Sequence, residues 1–349
     1  AYTGIMKEIE RIFFIQTAFF GDVIMSTPIP RALKQLYPNA RLDIILIPET
    51  RIIYQDNPYV DNIYLFDKRN PFKRIPSFLR LVHTLRKNHY DLAVSVHISF
   101  SSSLLMLLSG AKIRLGYPRQ KFKNLTIDLP KGVPVVKRGL LLLKALSDRE
   151  FDYQTEVFIN PEIQKKVQEY INNNELNPEK MIAIAPGSVW ATKRWLPEYY
   201  AEVVKALTEE GYQCVMIGSA EERKLCEEII KASGVQAYNS AGNFNILGSA
   251  ELIRNCRLII TNDSAPLHLA NAVKTPVLAI FGPTVERFGC FPYREEDRVL
   301  QVDLECRPCG KHGHKKCPEG HFRCMKDITV DMVLKNAKEM LNIEAKEVQ

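Results

Sequence analysis

The octapeptide Thr261-Asn262-Asp263-Ser264-Ala265-Pro266-Leu267-His268 follows an apolar run at 257–260 and opens a short helical stretch at 267–273. A strand-to-helix turn of this kind gathers unpaired backbone N–H groups at the positive end of a helix dipole, so it can hold a phosphate without a dedicated cation. Asp263 lies on the same turn. A carboxylate repels phosphate, so its expected partners are sugar or ribose hydroxyls, from which it accepts strong hydrogen bonds. Asp and Ser are also favoured caps, and on this segment alone a capping role for Asp263 or Ser264 is an equal reading. Beyond the first apolar run, Gly21-Asp22 places a carboxylate where it can act as general base toward a hydroxyl within hydrogen-bonding reach, or cap a helix. A third segment, 185–195, brings together Ser188, Thr192 and Lys193 as holders of a diphosphate, with Lys193 suited to stabilising leaving-group charge. Trp195 in the same segment is expected in the core. No Walker loop is present and no Gly-x-Gly-x-x-Gly follows a strand, which argues against a P-loop ATPase and an ordinary nicotinamide dehydrogenase.

Positioning these groups falls to alternating elements. Strand-like runs at 11–16, 42–47, 62–66, 92–97 and 112–115 are separated by helical patterns at 31–37, 76–87 and 102–109. The second half repeats the scheme, with strands at 181–185, 213–217, 235–238, 257–261 and 277–281 and helices at 198–209, 220–233, 247–255 and 267–273. The pattern predicts an α/β protein of two Rossmann-like, doubly wound domains facing a central cleft. The expected boundaries are 6–160 for the first domain, 161–178 for a surface linker helix, 179–328 for the second domain and 329–349 for a C-terminal helix packing back. Ligands of open parallel sheets bind beyond the carboxyl ends of the strands, a geometry suited to group transfer.

A chain of 349 residues, 46% hydrophobic and 25% charged, has material for two cores. No run reaches the length of a spanning helix and the N-terminus carries no secretory pattern, so the protein is expected in the cytoplasm. The net charge of +7 is unevenly placed, with Lys68, Arg69, Lys73, Arg74, Arg80, Arg86 and Lys87 followed by further basic residues at 112–123. Nucleic acid, anionic lipid headgroups or a phosphorylated small molecule would answer to that field, as would an ordinary solvated face. Cys306, Cys309, Cys317 and Cys324 fall within nineteen residues, with His312, His314 and His321 among them. A structural zinc and free or redox-paired thiols are both open readings of that spacing.

Taken together, Gly21-Asp22, the Ala185-Pro186-Gly187-Ser188 and Thr192-Lys193-Arg194-Trp195 pairings, Gly218-Ser219-Ala220-Glu221, the 261–268 turn and Phe281-Gly282-Pro283-Thr284 resemble the family 9 glycosyltransferases. The likeness is closest to the lipopolysaccharide heptosyltransferases, nearer those that add the second heptose, and runs from about Ile12 to Leu341. It implies the GT-B fold and an inverting transfer from ADP-L-glycero-D-manno-heptose to the inner core of lipopolysaccharide. By that resemblance Asp22 is the catalytic base, Lys193 contacts the diphosphate and Asp263 holds the donor near its sugar. Ser264, Ala265 and His268 receive the phosphates, Ser188 and Thr192 line the same loop, Glu221 is a ribose-side acid and Phe244 falls near the adenine. The resemblance implies no metal or other cofactor for transfer and leaves the acceptor residues without a motif. Its partners would be an ADP-sugar donor and a Kdo- or heptose-bearing lipid A acceptor, met by peripheral contact at the inner face of the cytoplasmic membrane, with no nucleic acid. Ala265 stands where the family often has Gly, so a turn requiring positive φ would force the donor to shift. Two alternatives are a related family 9 transferase that uses another nucleotide sugar for a surface polysaccharide, and a basic glycolipid- or nucleic-acid-binding module without transfer activity.

Overall fold

The computed structural model describes residues 9–130 and 132–347, with side chains to residue 342. The N-terminal residues 1–8, which enter the reading of a leaderless chain and of a domain beginning at 6, lie outside the described residues, as do 348–349. The chain divides into two compact units, 1–158 and 159–349.

In the first unit, β1 (Arg11–Ile15) leads through α1 (Phe20–Met25) and α2 (Pro28–Leu36) to β2 (Arg41–Leu46) and β3 (Asn62–Leu65). Then follow α3 (Pro71–Asn88), β4 (Leu92–Ser95), α4 (Phe100–Leu108), β5 (Ile113–Gly116) and α5 (Val135–Leu142). The sheet is wholly parallel in the order β3-β2-β1-β4-β5. Strands covered on both faces must be apolar along their length, and Ile12, Phe13, Phe14 and Ile15 of β1 are all buried. A charged exception is Asp43 on β2, fully buried but paired with Arg41 and hydrogen-bonded by Asn62 and the Tyr90 hydroxyl. The third helix begins at Pro71, five residues before the expected start. Asn70 caps it by accepting from the Phe72 and Lys73 amides, and Pro71 takes the first helical position, where no N–H is needed. Its Phe78, Leu81, Val82 and Leu85 pack on the sheet side with Phe13, Phe66 and Tyr90.

The second unit contains α6 (Pro161–Asn173), β6 (Met181–Ala185), α7 (Pro197–Glu209), β7 (Gln213–Met216), α8 (Arg223–Ser233), β8 (Tyr238–Asn239) and α9 (Ile246–Arg254). It continues with β9 (Leu258–Asn262), α10 (Ala265–Ala272), β10 (Val277–Ile280), β11 (Arg298–Leu300), α11 (Arg323–Lys326) and α12 (Val330–Glu347). Its parallel sheet runs β11-β10-β9-β6-β7-β8, the order of a dinucleotide-binding fold. The segment expected as a surface linker, α6, belongs to this unit: it packs on α9 and buries Val167 and Ile171. α12 packs on α7 and places Val333, Ala337, Met340 and Leu341 in the core. Among the described residues no helix is long and apolar enough to cross a membrane.

Candidate functional site

The strand order of the second unit reverses direction between β6 and β9, and the loops leaving their carboxyl ends are the segments singled out by chemistry. Asn262, buried at the end of β9, ties them together. Its Oδ1 accepts from the Trp195 amide at 3.0 Å and from the Tyr200 hydroxyl at 2.9 Å, while its Nδ2 donates to the Pro186 carbonyl at 2.8 Å. All of its principal hydrogen-bonding capacity is therefore spent fixing the β6 loop against the β9 turn. Trp195 is buried, as expected of a core residue, and its indole donates to the Ile328 carbonyl at 2.9 Å.

Lys193 and Asp263, distant in sequence, meet at this edge. The Lys193 ammonium lies 2.6 Å from Asp263 Oδ2, and the Thr284 hydroxyl donates to the same oxygen at 2.7 Å. Both charged side chains are mostly covered. The capping reading fails here: neither Asp263 nor Ser264 closes α10 with its side chain, although Ser264 occupies the cap position. The turn ahead of α10 thus keeps its anion-binding polarity, with the Lys193 ammonium held beside it by Asp263. Ala265 has no positive φ, so the substitution of Ala for Gly imposes no strain and requires no shift of a ligand.

His268, one turn into α10, is buried, and burial lowers its pKa to about 4, opposed by the Asp263 carboxylate and reinforced by Lys193. An ordinary histidine titrates near pH 6.5. Between those values the unfolded chain binds a proton that the folded chain does not, so stability falls as pH drops from about 6.5 toward 4. The contribution lost is on the order of 3 kcal/mol, from 1.36 kcal/mol per unit. Urea unfolding at pH 7.5 and 4.5 will show a smaller acid loss in His268→Gln than in the native chain; an unchanged loss would contradict the assignment.

Thr192 and Ser188 serve the architecture of the β6 loop. The Thr192 hydroxyl accepts from the His314 amide at 2.7 Å, and the Thr192 amide donates to the His314 carbonyl at 3.1 Å. The Ser188 carbonyl accepts from Arg194 Nε at 2.7 Å. Gly313 makes the docking of the cysteine-rich loop possible, since a Cβ there would stand 2.6 Å from Trp190 Cβ and 3.0 Å from Lys193 Cγ. The same loop braces the turn after β10. Arg307 donates to the carbonyls of Gly282 and Thr284, and the Cys309 amide donates to Pro283 O at 3.1 Å. The cysteine segment therefore holds Thr284 and Lys193 in place from outside.

The cysteines themselves do not form the metal cage suggested by their spacing. Among the described residues no three His, Cys, Asp or Glu side chains are grouped to hold a metal ion. Cys324 is drawn into the core beside Met325 and Ile328, the Cys309 thiol donates to the Cys306 carbonyl, and Cys306 Sγ faces His321 at 3.9 Å. Burial pushes the Cys324 thiol up to about 11. This arrangement does not support the structural zinc on Cys306, Cys309, Cys317 and Cys324.

Two expected donor residues are placed less directly. Glu221 is exposed, whereas its neighbour Glu222 packs its carboxylate against Gly187 and Gly218 at the ends of β6 and β7. A Cβ on Gly187 would lie only 1.8 Å from Glu222 Oε1. The Ser219 amide donates to Glu222 Oε2 at 2.9 Å and fixes that carboxylate beside both glycines. Phe244 is half-buried, its ring edge-on to Tyr170 at 5.4 Å and against Gly248. Thr284, Asn262 and Glu222 escaped sequence reasoning because their roles arise from contacts across the sheet edge.

In the first unit, Asp22 lies in the first turn of α1, half-buried beyond the end of β1. The cap position is Phe19, so Asp22 is not the cap. Nearby at the carboxyl edge, Thr17 Oγ1 lies 3.0 Å from His97 Nδ1 and accepts from Lys68 at 3.2 Å. Burial, and then the Lys68 charge, lower the His97 pKa to about 4.

Two parallel Rossmann-like units, one ending in an anion-binding turn with a Lys–Asp pair, define the class as a nucleotide-dependent group-transfer protein of GT-B type. A family model for glycosyltransferase family 9 (heptosyltransferase) matches residues 78–321, and the chain belongs to that family of glycosyltransferases. It is 29% identical to lipopolysaccharide heptosyltransferase 2 of Escherichia coli strain K12 over 95% of this chain and 98% of that protein. It is also 29% identical to lipopolysaccharide heptosyltransferase 3 of the same strain, over 76% of this chain and 80% of that protein. Among solved structures, E. coli ADP-heptose lps heptosyltransferase II superposes with a TM-score of 0.75 at 26% identity, covering 96% of this chain and 99% of the other.

Proposed function

We propose that the protein transfers heptose from ADP-L-glycero-D-manno-heptose to the inner core of lipopolysaccharide with inversion at the anomeric carbon. The observation that carries this reading is the Lys193–Asp263–Thr284 contact at the turn ahead of α10. It supplies a cation and oriented backbone N–H groups for a diphosphate, beside a carboxylate suited to sugar hydroxyls. The acceptor hydroxyl oxygen forms the new bond to the anomeric carbon while Asp22 takes its proton. The bond from that carbon to the diphosphate breaks, and its electron pair leaves with ADP, whose developing charge Lys193 and the start of α10 stabilise.

Ser188, Thr192, Ser264, Ala265 and His268 shape the phosphate side, Glu222 takes the ribose hydroxyls in place of Glu221, and Phe244 borders the adenine. The acceptor is a Kdo- or heptose-bearing lipid A, so the protein works as a cytoplasmic enzyme against the inner face of the cytoplasmic membrane. Transfer needs no metal in this scheme, because Lys193 and the helix terminus supply the positive charge.

Calorimetric titration with ADP and UDP, followed by turnover of ADP-heptose, tests the donor. ADP should bind at least about tenfold tighter than UDP, a difference of 1.4 kcal/mol. Tighter UDP binding with no turnover of ADP-heptose would instead favour a family 9 transferase with another nucleotide sugar.

A further inference from the structure

The helix α3 has a face that the fold leaves uncovered. Phe72 is 89% exposed, Ile75 68% and Leu79 62%, while the opposite face buries Leu81 and Leu85. Residues at i, i+3 and i+7 share one side of a helix, so the three form a continuous apolar row. An exposed Phe, Ile and Leu in one row is not the scatter of single apolar residues found on ordinary surfaces.

Charge identifies what covers it. The helix contains Lys73, Arg74, Arg80, Arg86 and Lys87 and no acidic residue. Among the described residues none of these five is in an ion pair, in contrast to Arg69, which is held by Glu49, and Lys112, which is held by Asp91. At 100° per residue, Lys73, Arg80 and Lys87 fall along one flank of the apolar row, Arg86 continues the row itself two turns beyond Leu79, and Arg74 lies on the far side. Phe, Ile and Leu on one arc with unpaired Lys and Arg at its borders is the pattern of a helix lying in a membrane interface. A protein partner or a second copy would need a matching acidic rim, and a second copy presents the same basic one.

We propose that α3 is a membrane-docking element that inserts Phe72, Ile75 and Leu79 among the lipid chains of an anionic bilayer surface while its basic residues contact the headgroups. The purpose of this docking rests on the lipid-borne acceptor proposed above; the docking itself is read on vesicles that contain no acceptor, so either reading can fail alone.

The test is co-sedimentation of the full chain with vesicles of phosphatidylcholine and phosphatidylglycerol (3:1) and of phosphatidylcholine alone, with circular dichroism confirming the fold of each variant. The native chain should bind the anionic vesicles and bind the neutral ones much more weakly. Replacing Lys73, Arg80 and Lys87 with Gln should weaken binding about 100-fold, close to fivefold per charge, and raising the salt should erase much of that difference. Phe72→Ser, Ile75→Ser and Leu79→Ser together should weaken binding at least about 30-fold at either salt concentration. Native-like vesicle binding by the apolar triple variant overturns the proposal, as does failure of the native chain to bind anionic vesicles. A change from dimer to monomer in that variant, seen by light scattering with vesicle binding unaltered, overturns it in favour of self-association.

Discussion

Asp22→Asn should lower turnover by a factor of about 10² to 10⁴ while leaving the affinity for ADP within about twofold of the native value. The range is the usual contribution of a positioned general base. The amide has nearly the same shape as the carboxylate, and circular dichroism of the variant checks that the fold persists. What disappears is a side chain that can accept the acceptor's proton as the new bond forms. ADP binding should survive because Lys193, Asp263 and Thr284 belong to the second unit. A loss confined to kcat, with the donor KM unchanged, marks an interaction of the transition state. Steady-state kinetics with equilibrium binding of ADP gives the answer, and a variant retaining a third or more of native turnover would remove Asp22 from the base role.

Lys193→Ala should reduce kcat/KM by about 10² to 10³, comparable to the removal of one preorganised donor from a developing anion. Two effects combine. The departing diphosphate loses its side-chain cation, and Asp263, mostly covered, keeps the Thr284 hydroxyl as a side-chain hydrogen-bond donor. The stranded carboxylate then repels the donor phosphates, so ADP affinity should fall as well, which distinguishes this variant from Asp22→Asn. Lys193→Arg should rescue only part of the loss, because a planar guanidinium does not reproduce a compact, rotatable ammonium at 2.6 Å from its partner. In the double variant Lys193→Ala with Asp263→Asn, ADP affinity should recover relative to Lys193→Ala alone while turnover stays low. Native-like kcat/KM in Lys193→Ala would contradict the diphosphate role.

The central strands were legible because parallel strands covered on both faces must be continuously apolar: Met181–Ala185 occupies the range its run of apolar residues predicts. The two edges of the second sheet were not. β11 has only half-buried residues and no distinct apolar run, and the strand expected at 235–238 is reduced to Tyr238–Asn239 at the other edge. For α3, Pro76 reads as a helix start, but Asn70 with Pro71 starts the helix earlier, and Pro76 is accommodated inside it on an exposed stretch. In the site, Lys193, Asp263 and Asp22 carried recognisable chemistry. Thr284 and Glu222 did not, because a hydroxyl aimed at a carboxylate 21 residues away and a carboxylate packed on two glycines are products of sheet topology. The docking of the cysteine loop by Gly313 and Arg307 was hidden for the same reason.

The most direct measurement is the reaction of the native chain with ADP-L-glycero-D-manno-heptose and a Kdo-bearing lipid A acceptor, followed by NMR determination of the configuration at the anomeric carbon of the transferred sugar. The account predicts heptose on the acceptor in the configuration opposite to that of the donor, with ADP released in equal amount. Retention of configuration, or no transfer from ADP-heptose by a protein that turns over another nucleotide sugar, would contradict it.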